Sequence, residues 1–213
     1  MRRFFITTAI LLICLWAQAQ KDAIRLGFEL SPQVSWLMSD DDKVDSDGLL
    51  GGYNFGLMID RFFAPNYAFT TGFFINTTGG KLSYEDGADI VVGNTLYNDK
   101  HQLTYRLKYL DIPIGVKLMT NEMARNRFYI QMGFNNQFLI KTNNGSGKNI
   151  KEEVRFYNIG YQLGGGFEHA MGGNLFLRTG LLFGSSFNDI TSNATYNDRT
   201  VLRKLVLSAA LIF

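Results

Sequence analysis

The chain is poor in the residues that most chemistry needs: one cysteine, two histidines and three prolines in 213 residues. A single cysteine, Cys14, excludes a disulfide framework and a thiolate metal site. Two histidines leave little for nucleophilic catalysis, which requires a nucleophile, a base and an orienting carboxylate within reach of one another. His101 lies in a long polar stretch near Asp99, and His169 stands beside Glu168 near a short turn; both read as non-catalytic. Beyond residue 20 no apolar run approaches the ~18 residues of a membrane-spanning helix, so a helical membrane protein is excluded. No Cys, His or acidic spacing suggests a bound metal or cofactor.

At the N-terminus, "MRRFFITTAILLICLWAQAQ" has the three parts of a secretory signal. Arg2 and Arg3 form the charged start, Phe4 to Trp16 the apolar stretch, and Ala17-Gln18-Ala19 the cleavage site. Cys14 lacks the small neighbours of a lipoprotein processing site, so it belongs to the apolar stretch. Residues 1–19 are therefore expected to be removed, which leaves residues 20–213 as one domain. Arg2 and Arg3 leave with the signal, and the remaining 19 basic and 19 acidic residues give no net charge for attracting nucleic acid.

What remains is rich in glycine, tyrosine and phenylalanine, and it alternates. In "FYIQMGFNNQFLIK", residues 128–141, Phe128, Ile130, Met132, Phe134, Phe138 and Ile140 share one face, with Gln131, Gly133, Asn135, Gln137 and Lys141 on the other. Period two marks a strand with one apolar side. Eight such segments recur, near 25–38, 49–63, 67–82, 103–119, 126–141, 154–170, 174–187 and 201–213. Short turns at Ala64-Pro65-Asn66, Asn121 to Arg125 and Met171-Gly172-Gly173 alternate with long polar loops. Strands in even number, with turns at one end and loops at the other, predict an all-β, eight-stranded antiparallel up-and-down transmembrane barrel.

A soluble lipocalin-like ligand carrier is the alternative barrel, with the apolar face turned inward. The polar face argues for the membrane form. It is dominated by Gly, Asn, Gln and Ser, and its charges are of both signs: Glu29, Asp60, Asp111 and Glu168 against Lys117, Lys141, Arg178 and Lys204. Such a set fits a narrow lumen where ions pair, because buried charges without partners are costly. On the apolar face, Trp36, Tyr53, Tyr67, Phe69, Phe128, Tyr157 and Phe213 are candidates for the interfacial aromatic girdles. Eight strands enclose space for side chains only, so the lumen should be plugged.

The last stretch, "LVLSAALIF", resembles the closing strand of outer-membrane barrels, whose terminal aromatic is recognised by the barrel-assembly machinery. The resemblance makes Phe213 the assembly signal and places the protein in the outer membrane of a Gram-negative cell. In the fourth segment, Tyr109-Leu110-Asp111-Ile112-Pro113 resembles a strand motif of the PorT-like outer-membrane barrels of Bacteroidetes. That family is named for a member required in type IX protein secretion, so the resemblance implies possible partners among secretion-system proteins, alongside the outer-membrane lipids. A non-enzymatic envelope or binding role for a monomeric barrel with four surface loops is the main expectation. An accessory part in secretion and an enzyme modifying outer-membrane lipid are the alternatives.

Two local features remain. Apolar residues change phase in the fourth segment, from Tyr105, Leu107 and Tyr109 to Leu110, Ile112, Ile114, Val116 and Leu118, beside a proline that cannot donate to a ladder. A bulge, or a rise of the strand above the bilayer, accounts for this. The first loop carries Asp40, Asp41, Asp42, Asp45 and Asp47, but without calcium-loop spacing, and reads as a solvated acidic loop.

Overall fold

The structure, a computed structural model, describes residues 24–40, 44–84, 90–92, 95–97, 102–145, 147, 149–151, 154–191 and 199–213. Residues 1–19 with Cys14, expected to act as an export signal, and also Asp41, Asp42, Asp99 and His101, lie outside the described residues.

Eight long strands form the wall: β1 Ile24–Met38, β2 Leu50–Ala64, β3 Tyr67–Tyr84, β4 Gln102–Met119, β5 Asn126–Asn143, β6 Tyr157–Gly172, β7 Leu175–Ser186 and β8 Val201–Ile212. Each pairs antiparallel with its neighbours in sequence, and β8 pairs with β1, so the sheet closes on itself. Short strands at Val44–Ser46, Ile90–Val92 and Thr95–Tyr97 belong to the loops; the first pairs antiparallel with β3 at its loop end. At the other end, Leu26 and Phe213 exchange backbone hydrogen bonds of 3.2 and 2.8 Å, so the terminal residue seals the seam.

The register shows how the strands tilt. From Leu26 the ladder runs through Ile59, Thr71, Ile114, Phe134, Tyr161, Ser185 and Arg203, and it returns to β1 at Trp36, ten residues further along. A stagger of this kind is what a closed barrel of tilted strands demands.

Strands of 12 to 18 residues exceed the ~9–11 that cross a bilayer, so the longer ones must continue into water. The side chains follow the change of solvent. On β4 the residues below Tyr109 place Asp111, Gly115 and Lys117 inward and Leu110, Ile114 and Leu118 outward, as a membrane wall requires. Above that level the polarity reverses: Leu103, Tyr105, Leu107 and Tyr109 are buried inside, while Arg106 and Lys108 face out. The backbone alternation itself is unbroken, so the phase change reflects a rise above the bilayer. The bulge lies on β5, where the register passes from Lys108 opposite Lys141 to Tyr109 opposite Leu139 and leaves Ile140 as the extra residue. Pro113 instead interrupts the β3–β4 ladder, where Thr71 Oγ1 donates to the Pro113 carbonyl at 2.7 Å.

At the turn end the loops are tight. Gly173, the first residue of the two-residue β6–β7 turn, takes the positive φ that such a hairpin needs, and Gly172 just before it, which pairs with Leu175, has positive φ as well. Between β4 and β5, Met123 and Asn126 exchange backbone hydrogen bonds around Ala124 and Arg125, whose φ angles are 49° and 70°. Two side-chain-bearing residues in the left-handed region are strained. Replacing Ala124-Arg125 by Asn-Gly, the preferred sequence for such a turn, is expected to stabilise the barrel by about 1–2 kcal/mol. A higher urea midpoint with unchanged m-value in lipid vesicles checks this.

Candidate functional site: an occluded lumen with two charge clusters

The interior is stratified. At the loop end, Leu37, Leu82, Tyr84, Tyr105, Tyr109 and Leu202 pack into an apolar cluster, with Val44, Ile150, Val154 and Ile190 of the loops folded over it. The extension thus has a core like that of a soluble protein. It also closes the lumen.

Immediately below, Asp111 is the centre of a polar layer. Its Oδ2 accepts from Asn76 Nδ2 at 2.7 Å, Asn135 Nδ2 at 3.0 Å and Lys204 Nζ at 3.1 Å, and its Oδ1 accepts from Gln137 Nε2 at 2.9 Å. Gln33 donates to Asn76 and Asn158 donates to Gln137, at 2.6 and 2.7 Å. Both amide chains point their donors toward the one carboxylate, so each bond polarises the next. Glu29 accepts from Ser31 Oγ at 2.7 Å and, with Asp111, Lys204, Asn54 and Thr70, lines a cavity of about 40 Å³. That is space for a water or two, not a solute path.

Toward the turn end, Met58, Phe74, Ala210 and Ile212 make a small apolar belt. Beyond it lies the second charge cluster. Arg178 donates to Asp60 at 2.5 Å and to Glu168, Lys117 pairs with Asp60, and Arg25 approaches Glu168 at 3.5 Å. Tyr129 lies under the Arg178 and Lys117 cations, with its ring centre 5.2 and 5.6 Å away. Room for that ring comes from Gly180: a Cβ there would stand 2.4 Å from the Tyr129 hydroxyl.

Seven of the eight charged residues expected in the lumen face into it. Lys141 does not. The extra residue Ile140 flips the phase of β5, and Lys141 is exposed on the outer face above the apolar belt. Arg25, absent from the expected set, lies inside instead, held between the Phe62 and Phe176 rings at 4.8 and 4.6 Å. Four cations (Arg25, Lys117, Arg178, Lys204) then face four carboxylates (Glu29, Asp60, Asp111, Glu168). The signal for Arg25 was its phase: one residue from Leu26 and two from Gly27 on an otherwise alternating strand.

The motif residues are spread across the wall. Tyr109 belongs to the apolar cluster, Asp111 to the polar layer and Pro113 to the ladder gap, while Leu110 and Ile112 are half-buried on the outer face. His169 and Glu168 point to opposite sides of the wall. His169 Nδ1 meets Asn126 Oδ1 at 2.9 Å, and Glu168 turns in to Arg178. In the first loop, Asp40 accepts from the Arg199 backbone at 2.6 Å and Asp47 from Gln102. Among the described residues no three His, Cys, Asp or Glu side chains converge on one point.

The outer surface is an apolar belt, with Leu57, Phe73, Ile130, Leu163, Leu181 and Leu207 among its exposed side chains. Aromatic residues gather at its two edges. Phe63, Tyr67 and Phe69 associate at the turn end; Tyr161, Phe183, Phe187 and Trp36 do so at the loop end. Phe128 and Phe213 are exposed toward the turn end, and Tyr53 and Tyr157 toward the loops. Residues 16–192 match the sequence profile of the outer membrane protein beta-barrel domain. The chain belongs to that family. As an outer-membrane barrel it shares its fold with Neisserial surface protein A at 13% identity, over 87% of this chain and 95% of that one, with a TM-score of 0.50. OprG from Pseudomonas aeruginosa is similar at 12% identity, over 92% of this chain and 98% of the other, with a TM-score of 0.52. Comparison with curated proteins finds no match.

The two lysines test the placement directly. Lys204→Met leaves the Asp111 carboxylate buried without a cation and is expected to cost about 3–5 kcal/mol, measured by urea unfolding in vesicles. Adding Asp111→Asn to that variant should recover part of the loss. Lys141→Met should change stability by no more than about 0.5 kcal/mol.

Proposed function

We propose that the protein is a non-enzymatic barrel of the outer membrane, monomeric and inserted by the barrel-assembly machinery, that presents its four loops to partners outside the cell. The observation that carries this reading is the occluded lumen. Among the described residues an apolar cluster above and two paired-charge layers below leave no continuous path, so transport of solutes through the barrel is not what the interior is built for. The long strands of β3, β4 and β5 raise a rigid, packed platform above the lipid, which suits recognition by loops. Export by residues 1–19 and assembly through Phe213 belong to the same reading.

An accessory part in type IX secretion is the second reading, favoured by the likeness of Tyr109 to Pro113 to the PorT-like strand. The two readings separate in cells. Quantitative mass spectrometry of surface and periplasmic fractions, with and without the gene, should show unchanged export under the first. Periplasmic accumulation of type IX cargo would favour the second. In planar bilayers the purified barrel is expected to show no conductance on the scale of a porin; steady open-channel currents would overturn the occluded-lumen account.

A further inference from the structure

At the loop end of the apolar belt the outer wall carries a cleft of about 420 Å³ where β1, β8 and β7 meet. The ladder places Arg203 directly between Trp36 of β1 and Ser185 of β7, all on the outward face. Below it on the same strand, Leu205 and Leu207 are exposed apolar residues. Arg203 is therefore the first cation above the lipid on β8. It lines the cleft together with Arg199, Met38, Asp40, Tyr161 and Phe187.

The two arginines differ in how they are held. The Arg199 guanidinium donates to the Phe187 carbonyl, and its backbone amide donates to Asp40, so its position is fixed. Arg203 Nε is shielded from water and has no hydrogen-bond acceptor among the described residues, so an anion in the cleft meets this side chain through its Nη atoms. Asp40 also lines the cleft, but its carboxylate is engaged by the Arg199 amide, and the two guanidiniums leave the cleft with a net positive charge for an oxyanion. Tyr161 and Phe187, with ring centres 5.4 Å apart, form the aromatic side of the cleft at the depth where lipid headgroups sit.

We propose that this cleft binds the phosphorylated headgroup of an outer-leaflet lipid. The phosphate lies between Arg199 and Arg203, whose planar donor forks match its oxygens. The acyl chains continue down the belt over Leu205 and Leu207. Continuity with the lipid face favours a headgroup over a free anion, because a soluble ion gains nothing from a site that opens onto hydrocarbon. The inference rests on the membrane-barrel reading.

The test uses the full barrel purified in detergent micelles. Diphosphorylated lipid A, its dephosphorylated counterpart and inorganic phosphate serve as probes, with occupancy read by native mass spectrometry. One diphosphorylated lipid A per barrel is expected, with the dephosphorylated form and inorganic phosphate at least about tenfold weaker. Arg199→Gln with Arg203→Gln should weaken binding by a similar factor. Arg203→Lys should fall between, since a lysine keeps the charge and loses the fork. Lys108→Gln with Lys141→Gln, on the opposite side of the barrel, should leave binding within about twofold. Equal binding of the dephosphorylated lipid, unchanged binding by the arginine pair variant, loss through the lysine pair, or inorganic phosphate as strong as the lipid would each overturn the proposal. A chain lacking a heat-dependent gel shift would overturn the membrane reading and the proposal with it, whereas a heat-modifiable barrel that ignores the phosphates overturns the proposal alone.

Discussion

Inside hydrocarbon there is no water to satisfy a backbone amide, and each unpaired group costs several kcal/mol. The pairing of β1 with β8 is therefore the interaction on which the rest of this structure depends. Closure fixes the tilt and stagger of the strands, and the tilt makes the ladder climb from Leu26 to Trp36 in one circuit. Because the side chains of each strand alternate, closure also fixes which ones face the lumen. The bond pair between Leu26 and Phe213 completes the seam at the turn end, where fraying would otherwise expose an edge to lipid.

From closure follows the charge arrangement. Eight strands leave a lumen too narrow for bulk water, so every inward charge needs a partner across it. The structure meets this requirement for seven of the eight inward charges in two layers with apolar side chains between, Asp111 with Lys204, and Asp60 and Glu168 with Arg178, Lys117 and Arg25; Glu29 is held by the Ser31 hydroxyl instead. The two layers block the barrel twice, before the apolar cluster of the extension closes it again.

Strand length supplies the third constraint. Where β4 leaves the bilayer, the solvent on its outer face changes from lipid to water, and the apolar residues must change face to stay out of that water. Tyr105, Leu107 and Tyr109 become a core while Arg106 and Lys108 become surface. In the sequence this change was visible as a shift of phase at Tyr109 and Leu110, although sequence alone does not distinguish it from a bulge. The strands, the turns and the closed antiparallel barrel were legible because period two is local. The partner of each lumen charge was not, since it depends on register summed around the circuit. Lys141 shows the limit most clearly: one extra residue, Ile140, reverses the side to which everything beyond it points, and no local pattern marks that residue as extra. Arg25 was missed for the complementary reason, lying at the first turn of pairing where alternation has barely begun. The cleft at Arg203 combines residues of β6, β7, β8 and β1, and β1 joins the other three only through closure.

The level at which the outer face passes from lipid to water is the most direct test of this account. Single spin labels placed along the outward face of β4, at positions 104, 106, 108, 110, 112, 114, 116 and 118 in barrels reconstituted into vesicles, report it through their relative exposure to oxygen and to a water-soluble relaxant. The account predicts water exposure at 104, 106 and 108 and lipid exposure from 110 to 118, with the change between Lys108 and Leu110. Water exposure along the whole strand would contradict it, because the barrel would then stand in solvent and its apolar belt would require another explanation.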